Sequence, residues 1–192
     1  MSGPAELMGI ATAQIVGRRD DQEDRVAVHA VAADAGARAG ELLLVLADGM
    51  GGHAGGEVAS RLVVEKFCQH YLGSEAGITS ALRNSLDRAN EQLAGTMAET
   101  PKLRGMGTTL VGCVIRGDEL YWVSVGDSLL WLFREGALQR LNADHSMRSL
   151  LDEMVGSGEM TREAAQSDLR RHMPVSYTHL RAHETVLVIS YA

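Results

Sequence analysis

Apolar residues recur at helical spacing in two stretches of this chain, and most of the remaining hydrophobic positions fall into short runs of strand character. Between residues 57 and 72, Ala59, Leu62, Val63, Phe67 and Tyr71 form one apolar stripe and predict an amphipathic helix. A second stripe, Leu82, Leu86, Ala89, Leu93 and Met97, predicts another, with Thr79 or Ser80 as N-cap and Pro101 beyond its end. Val26 to Val31 reads as a strand. Glu41 to Ala47, ELLLVLA, has the nearly continuous apolar character of a buried strand and is expected to end at Asp48-Gly49. From Thr108 to Arg134 three β-rich runs, TTLVGCVIR, ELYWVSV and SLLWLFR, are separated by Gly117-Asp118 and Gly126-Asp127, which read as hairpin turns. Ser146 is placed to cap a further helix carrying Leu150, Leu151 and Met154 and ended by Gly156 and Gly158. Thr161 starts another short one. The alanines and glycines between Ala32 and Gly40 read as a mobile loop.

Consecutive hairpins make an antiparallel sheet, and two amphipathic helices need a sheet face to cover, so the fold class is α+β. The 192 residues with 45% hydrophobic content can bury one sizeable core and form a single domain. A net charge of -7 argues against a nucleic-acid partner, which needs a basic patch to neutralise phosphates. Cys68 and Cys113 lack paired spacing and read as buried, reduced thiols. The first residues lack the basic start and long apolar stretch of a signal peptide, and no apolar run is long enough to span a bilayer. The expected compartment is therefore the cytoplasm, with no membrane segment within these residues.

Acidic residues stand where strands begin, end or turn: Glu23 and Asp24 before the first strand, Asp48 after the second, and Asp127 between two β-runs. A carboxylate at a strand end can reach a shared crevice while the strand fixes its backbone. Carboxylates, a backbone carbonyl and water are the ligands of hard cations such as Mg²⁺ or Mn²⁺. Each signal alone has an ordinary reading. Asp-Gly and Gly-Asp are common turn pairs, and RRDDQED can be a solvated loop.

In sequence order, however, these segments resemble the metal-dependent protein phosphatase 2C family, in its bacterial serine/threonine form. RRDDQED is similar to the family's opening motif, in which an arginine precedes a glutamate-aspartate pair, and VLADGMGGHAGGEVAS is similar to its metal-binding motif. GMGTTL, VSVGDS and LNADHS follow in the family's order. The resemblance implies an antiparallel β-sandwich flanked by helices in α/β/β/α layers, incomplete at the C-terminus. It implies two metal ions, or three in a complete domain, as Mn²⁺ or Mg²⁺. Asp48 would bridge two of them, with the Gly49 carbonyl on one, Glu23 and Asp24 completing that half directly or through water, and Asp127 holding a third ion. Arg19 would bind phosphate, its planar fork gripping two oxygens, and His53 would be the general acid for the leaving oxygen. The implied substrates are phosphoserine and phosphothreonine proteins, with a cognate serine/threonine kinase as a further partner.

The sequence also departs from that pattern. Leu129 stands after Ser128 where the family has GDSR, and its later aspartates, from an SDG turn and a GPDN-like segment, are not found; Asp-Gly occurs once, at Asp48-Gly49. The alternative reading is a catalytically inactive pseudophosphatase that binds phosphopeptides or regulates a partner. Gly105, Gly107, Thr108 and Thr109 read as packing residues at the entry to a strand. The resemblance runs to about Met173, so residues 1–173 are expected to be a partial phosphatase domain. Residues 174–192 read as a non-native tail whose SYTHLRAHET resembles a translated adapter string and whose VLVIS can pair with an open sheet edge.

Overall fold

The architecture, taken from a computed structural model, describes residues 10–14, 22–51, 55–143, 147–168 and 187–188. Its centre is β2 (Leu42–Met50), which pairs antiparallel with β1 (Asp24–Ala30) on one side. On the other side it pairs with β4 (Leu110–Arg116) and with the two-residue β3 (Gly107–Thr108). β5 (Glu119–Val125) lies beyond β4 and β8 (Leu187–Val188) beyond β5, so the sheet runs β1-β2-β4-β5-β8.

Alternation along β2 decides which face meets a helix. Leu43, Val45 and Ala47 are buried almost completely, whereas Leu46 on the opposite face is 41% exposed. Helix α1 (Gly55–Leu72) packs on the buried face of β1 and β2, and α2 (Ile78–Glu99) packs on α1. Gly112, directly opposite Val45, makes room for the fit. A Cβ at Gly112 would stand 2.6 Å from the Phe67 ring, so the ring of α1 rests on bare backbone. Cys68 and Cys113 are both free and buried. Burial pushes their thiols up to about 11 and about 12, so both stay protonated at neutral pH, as expected of inert core residues.

Three boundaries differ from those expected. β2 does not stop at Asp48-Gly49 but continues to Met50, because Gly49 and Met50 pair with Thr108 and Gly107. α2 takes Gly77 as N-cap with no side-chain cap, since Ala81 N–H already reaches the Gly77 carbonyl at 2.8 Å; Thr79 and Ser80 lie inside the helix. Gly126-Asp127 is a bend, not a hairpin turn. The hairpin lies further on, between β6 (Trp131–Arg134) and β7 (Ala137–Arg140), where Glu135 and Gly136 have φ of 53° and 77°. Two positive φ values in a two-residue loop match the twist of paired strands.

The contacts fall into two units, Met1–Ser124 with Ala182–Ala192, and Val125–Arg181. The second holds the β6–β7 hairpin, α3 (Met147–Gly156) and α4 (Arg162–Ser167), with α3 and α4 packed together. Thr161 is the N-cap of α4, its hydroxyl accepting from Ala164 N–H at 3.2 Å. The proposed cap Ser146 lies outside the described residues. Helices and antiparallel sheets together give the expected α+β fold.

The segment expected to be a mobile loop is tied down from within. Gly36–Arg38 form a 3₁₀ turn, and Arg38 is 4% exposed. Its guanidinium lies over the Tyr71 ring, 5.0 Å from the centroid. It also donates to Tyr71 Oη at 3.0 Å and to the Ala76 carbonyl. Tyr71 Oη donates in turn to Glu41 Oε2 at 2.7 Å, and Arg116 Nη1 stands 3.5 Å from Glu41 Oε1. Burial, then the bond to Glu41, pushes the Tyr71 phenol well above its usual range, keeping it a donor. No local pattern signals this, because Tyr71 and Ala76 lie more than thirty residues from Arg38. Arg38 Nη1 also stands 3.6 Å from Glu41 Oε2, and removing one member of such a buried ion pair leaves the other charge poorly compensated. Arg38→Met should therefore cost about 3–5 kcal/mol in urea unfolding, while Arg116→Met, acting from a half-exposed side chain, should cost under about 1 kcal/mol. Equal losses would show that Glu41 does not depend on Arg38.

Candidate functional site

Asp24, the first residue of β1, and Asp48, near the end of β2, are direct cross-strand partners. Opposed residues of an antiparallel pair share a face with their Cβ atoms about 4.5–5.5 Å apart, and like charges so placed repel. A cation between them reverses the sign of that term. Asp48 is exposed and Asp24 half-buried, so the pair faces outward from the edge of the core.

One step further, the Gly49 amide donates to the Glu23 carbonyl at 3.1 Å, which extends the pairing beyond the strand start. Here the chain passes against the first turn of α1. A Cβ on Gly49 would lie 2.1 Å from the Gly56 carbonyl oxygen and 2.7 Å from that of Glu23. A Cβ on Gly56 would lie 2.3 Å from the Glu23 carboxylate. These separations are far below van der Waals contact, so three backbones meet here only because two of them are glycine. The resemblance assigns Gly49 a role through its carbonyl alone. The atoms that would clash are protein backbone, and Gly56 was not singled out.

The backbone of Asp48 is held from the side opposite β1. Its amide donates to Thr109 Oγ1 at 3.0 Å. Its carbonyl accepts from the Thr109 amide at 2.9 Å and from Thr108 Oγ1 at 2.9 Å. The two threonines, expected only to pack, thus clamp the central aspartate. The sequence signal for this was GMGTT lying next to the metal motif in order, but nothing local showed which strand it would pair with.

Asp127 is half-buried after Gly126, whose φ of 94° makes the bend, and it belongs to the second unit. Arg19 and His53 lie outside the described residues. Among the described residues no three histidine, cysteine, aspartate or glutamate side chains gather closely enough to hold an ion. What the structure brings together is Asp24 opposite Asp48, with Glu23 and Gly49 adjoining. The donors there are all oxygens, which suits a hard cation and not zinc or copper, but a hard cation takes about six or more oxygens, with water supplying some. The fit is that of a partial ligand set.

A family model for protein phosphatase 2C matches residues 23–190. The serine/threonine protein phosphatase PstP of Mycobacterium tuberculosis is 39% identical over 138 residues, covering 70% of this chain and 26% of that protein. The serine/threonine phosphatase stp of Listeria welshimeri is 32% identical over 136 residues, covering 68% of this chain and 53% of that one. The chain thus spans about a quarter and about half of these relatives. The crystal structure of M. tuberculosis PstP superposes with a TM-score of 0.66 at 32% identity, covering 90% of this chain and 69% of that one. The S. agalactiae serine/threonine phosphatase gives 0.70 at 27%, covering 91% and 71%. The catalytic domain of PstP in complex with two manganese ions gives 0.65 at 31%, covering 90% and 68%. With its antiparallel sheet, its strand-end carboxylates and a family match over most of its length, the chain belongs to the protein phosphatase 2C family.

Proposed function

We propose that this chain is part of a protein serine/threonine phosphatase that hydrolyses phosphomonoesters with a metal-activated water. The observation that carries the reading is the Asp24–Asp48 pair, two carboxylates set face to face across adjacent strands. A phosphopeptide-binding pseudophosphatase has no use for that repulsion, whereas a cation site requires it. Asp48 and Asp24, with Glu23 and the Gly49 carbonyl, would hold Mn²⁺ or Mg²⁺. The manganese in the PstP structure supports Mn²⁺. When bound, such ions lower the pKa of water and neutralise phosphoryl oxygens.

The chain's own groups then have separate tasks. Asp48, clamped by Thr108 and Thr109, fixes the position of the charge that attracts the cations. Gly49 and Gly56 keep the Glu23 carboxylate against the start of α1. Arg19 grips the phosphoryl oxygens through paired donors and holds phosphorus in line for attack. His53 gives its proton to the departing serine or threonine oxygen. Asp127 holds a further, weaker ion. Neither cysteine takes part, since both thiols are buried and protonated. The substrates are phosphoserine and phosphothreonine proteins, including those of a cognate kinase, in the cytoplasm. Among the described residues no helix is long and apolar enough to cross a membrane.

Titration calorimetry with MnCl₂ should show binding by the chain that Asp48→Ala removes, and equal heats from both would defeat the assignment. Gly56→Ala should weaken the same binding by displacing Glu23 and cost roughly 1–3 kcal/mol of stability through overpacking. For catalysis, residues 1–168 can replace the matching segment of M. tuberculosis PstP. The chimaera should hydrolyse p-nitrophenyl phosphate only with added Mn²⁺ or Mg²⁺. Asp48→Ala should lower kcat by about 100-fold or more, in line with losing a metal ligand, and Arg19→Ala should mainly raise KM. Full turnover in excess EDTA would rule out the mechanism.

A further inference from the structure

We propose that Thr109 is the positioning residue of the metal centre, its hydroxyl standing in for a backbone carbonyl to set the angle at which Asp48 leaves β2. The inference rests on the metal-site reading above and concerns what aims its central aspartate. On the far side of β2 from β1, the pairs Leu46↔Val111 and Gly49↔Thr108 belong to one continuous register, and continuing either places Thr109 opposite Asp48. A regular antiparallel pair at that position would exchange two backbone bonds. One of them is made, from the Thr109 amide to the Asp48 carbonyl at 2.9 Å. The other is replaced, because the Asp48 amide donates to Thr109 Oγ1 at 3.0 Å. The Thr109 carbonyl stands 2.9 Å from Thr108 Oγ1, whose one proton it shares with the Asp48 carbonyl. This is where the strand assignment breaks between β3 and β4, with Thr109 alone outside both.

The substitution has a geometric effect. A threonine Oγ1 stands about as far from its Cα as the carbonyl oxygen does but in a different direction, so the Asp48 amide stays bonded while it is aimed off the regular ladder line. Asp48 is thereby held at an irregular rung of an otherwise continuous register, with the opposed Asp24 on its other flank. Thr109 itself is 1% exposed, so its hydroxyl is fixed by the core and not by solvent. Its bonds to Asp48 are to the backbone amide and carbonyl.

The test uses the chain as it stands, with Mn²⁺ alone as probe, and compares wild type with Thr109→Val, Thr109→Ser and Asp48→Ala. Valine keeps the shape and removes the hydroxyl; serine keeps the hydroxyl and removes the methyl. Thr109→Val should weaken Mn²⁺ binding by about 10-fold or more, the size expected for loss of an outer-sphere partner, and Thr109→Ser should bind within about threefold of wild type. Amide hydrogen exchange without metal gives an independent readout: the Asp48 amide should exchange faster in Thr109→Val and at the wild-type rate in Thr109→Ser. Unchanged Mn²⁺ affinity and Asp48 exchange in Thr109→Val would overturn the proposal. So would a serine variant that loses as much as the valine one, since packing by the methyl would then be the cause. The serine comparison also decides the matter if Thr109→Val does not fold. Failure of the metal reading itself looks different: Asp48→Ala would bind Mn²⁺ as wild type does.

Discussion

The antiparallel pairing of β1 with β2 is the constraint on which the site depends. It sets Asp24 opposite Asp48, and it does so at the end of a seven-residue register whose other positions are apolar or lie under α1. A slip of one residue would turn Leu43, Val45 and Ala47 away from α1 and expose them. Burial of those side chains therefore fixes the register, and the register fixes the carboxylates. The core does not touch the acidic pair, yet it decides where the pair stands.

The two ends of β2 treat their acids in opposite ways. At the start, Glu41 is withdrawn from water and compensated by Tyr71, Arg38 and Arg116, a closed arrangement that ties the β1–β2 connection to the end of α1. At the finish, Asp48 is exposed and set against another carboxylate. Buried charges need partners within the protein, whereas an exposed opposed pair is tolerable in water and becomes favourable when a divalent cation arrives. The same strand thus supplies a fixed anchor at one end and a receptive group at the other, and the anchor keeps the receptive end from drifting.

Much of this was legible in the sequence where local pattern and final environment agree. ELYWVSV is β5 residue for residue, and the stripes of α1 and α2 lie on the faces that are buried, because alternation and helical spacing are set by the elements themselves. Reading the metal motif and its order along the chain picked out Glu23, Asp24, Asp48 and Gly49, which the fold does bring side by side. What could not be read depends on distant partners. β2 continues past Asp48 only because residues nearly sixty positions on pair with it. Arg38 sits in an alanine- and glycine-rich segment whose order comes from Tyr71 and Ala76. Gly56 matters through Glu23 and Gly49, and no single-residue rule for glycine predicts a contact of three backbones.

The departures from regular structure are not scattered. Two like charges face each other, glycine occupies a strand position, a second glycine opens a helix, and a hydroxyl replaces a ladder carbonyl, all within a few residues of Asp48. Each is locally unfavourable: opposed charges repel, glycine in a strand or helix costs about 0.5–1 kcal/mol against alanine, and an irregular ladder loses cooperativity. Elsewhere in the first unit most of each helix stripe is buried and Gly112 is matched to a ring, while the buried charges of Arg38 and Glu41 are compensated within the core. Sequences relax such rules where function demands it and keep them elsewhere. The concentration of exceptions around one strand end points to the same candidate site without the motif. It also explains why the threonine clamp is needed: a carboxylate placed against its like holds its position only if its backbone is fixed, and the bonds to Thr108 and Thr109 fix that of Asp48.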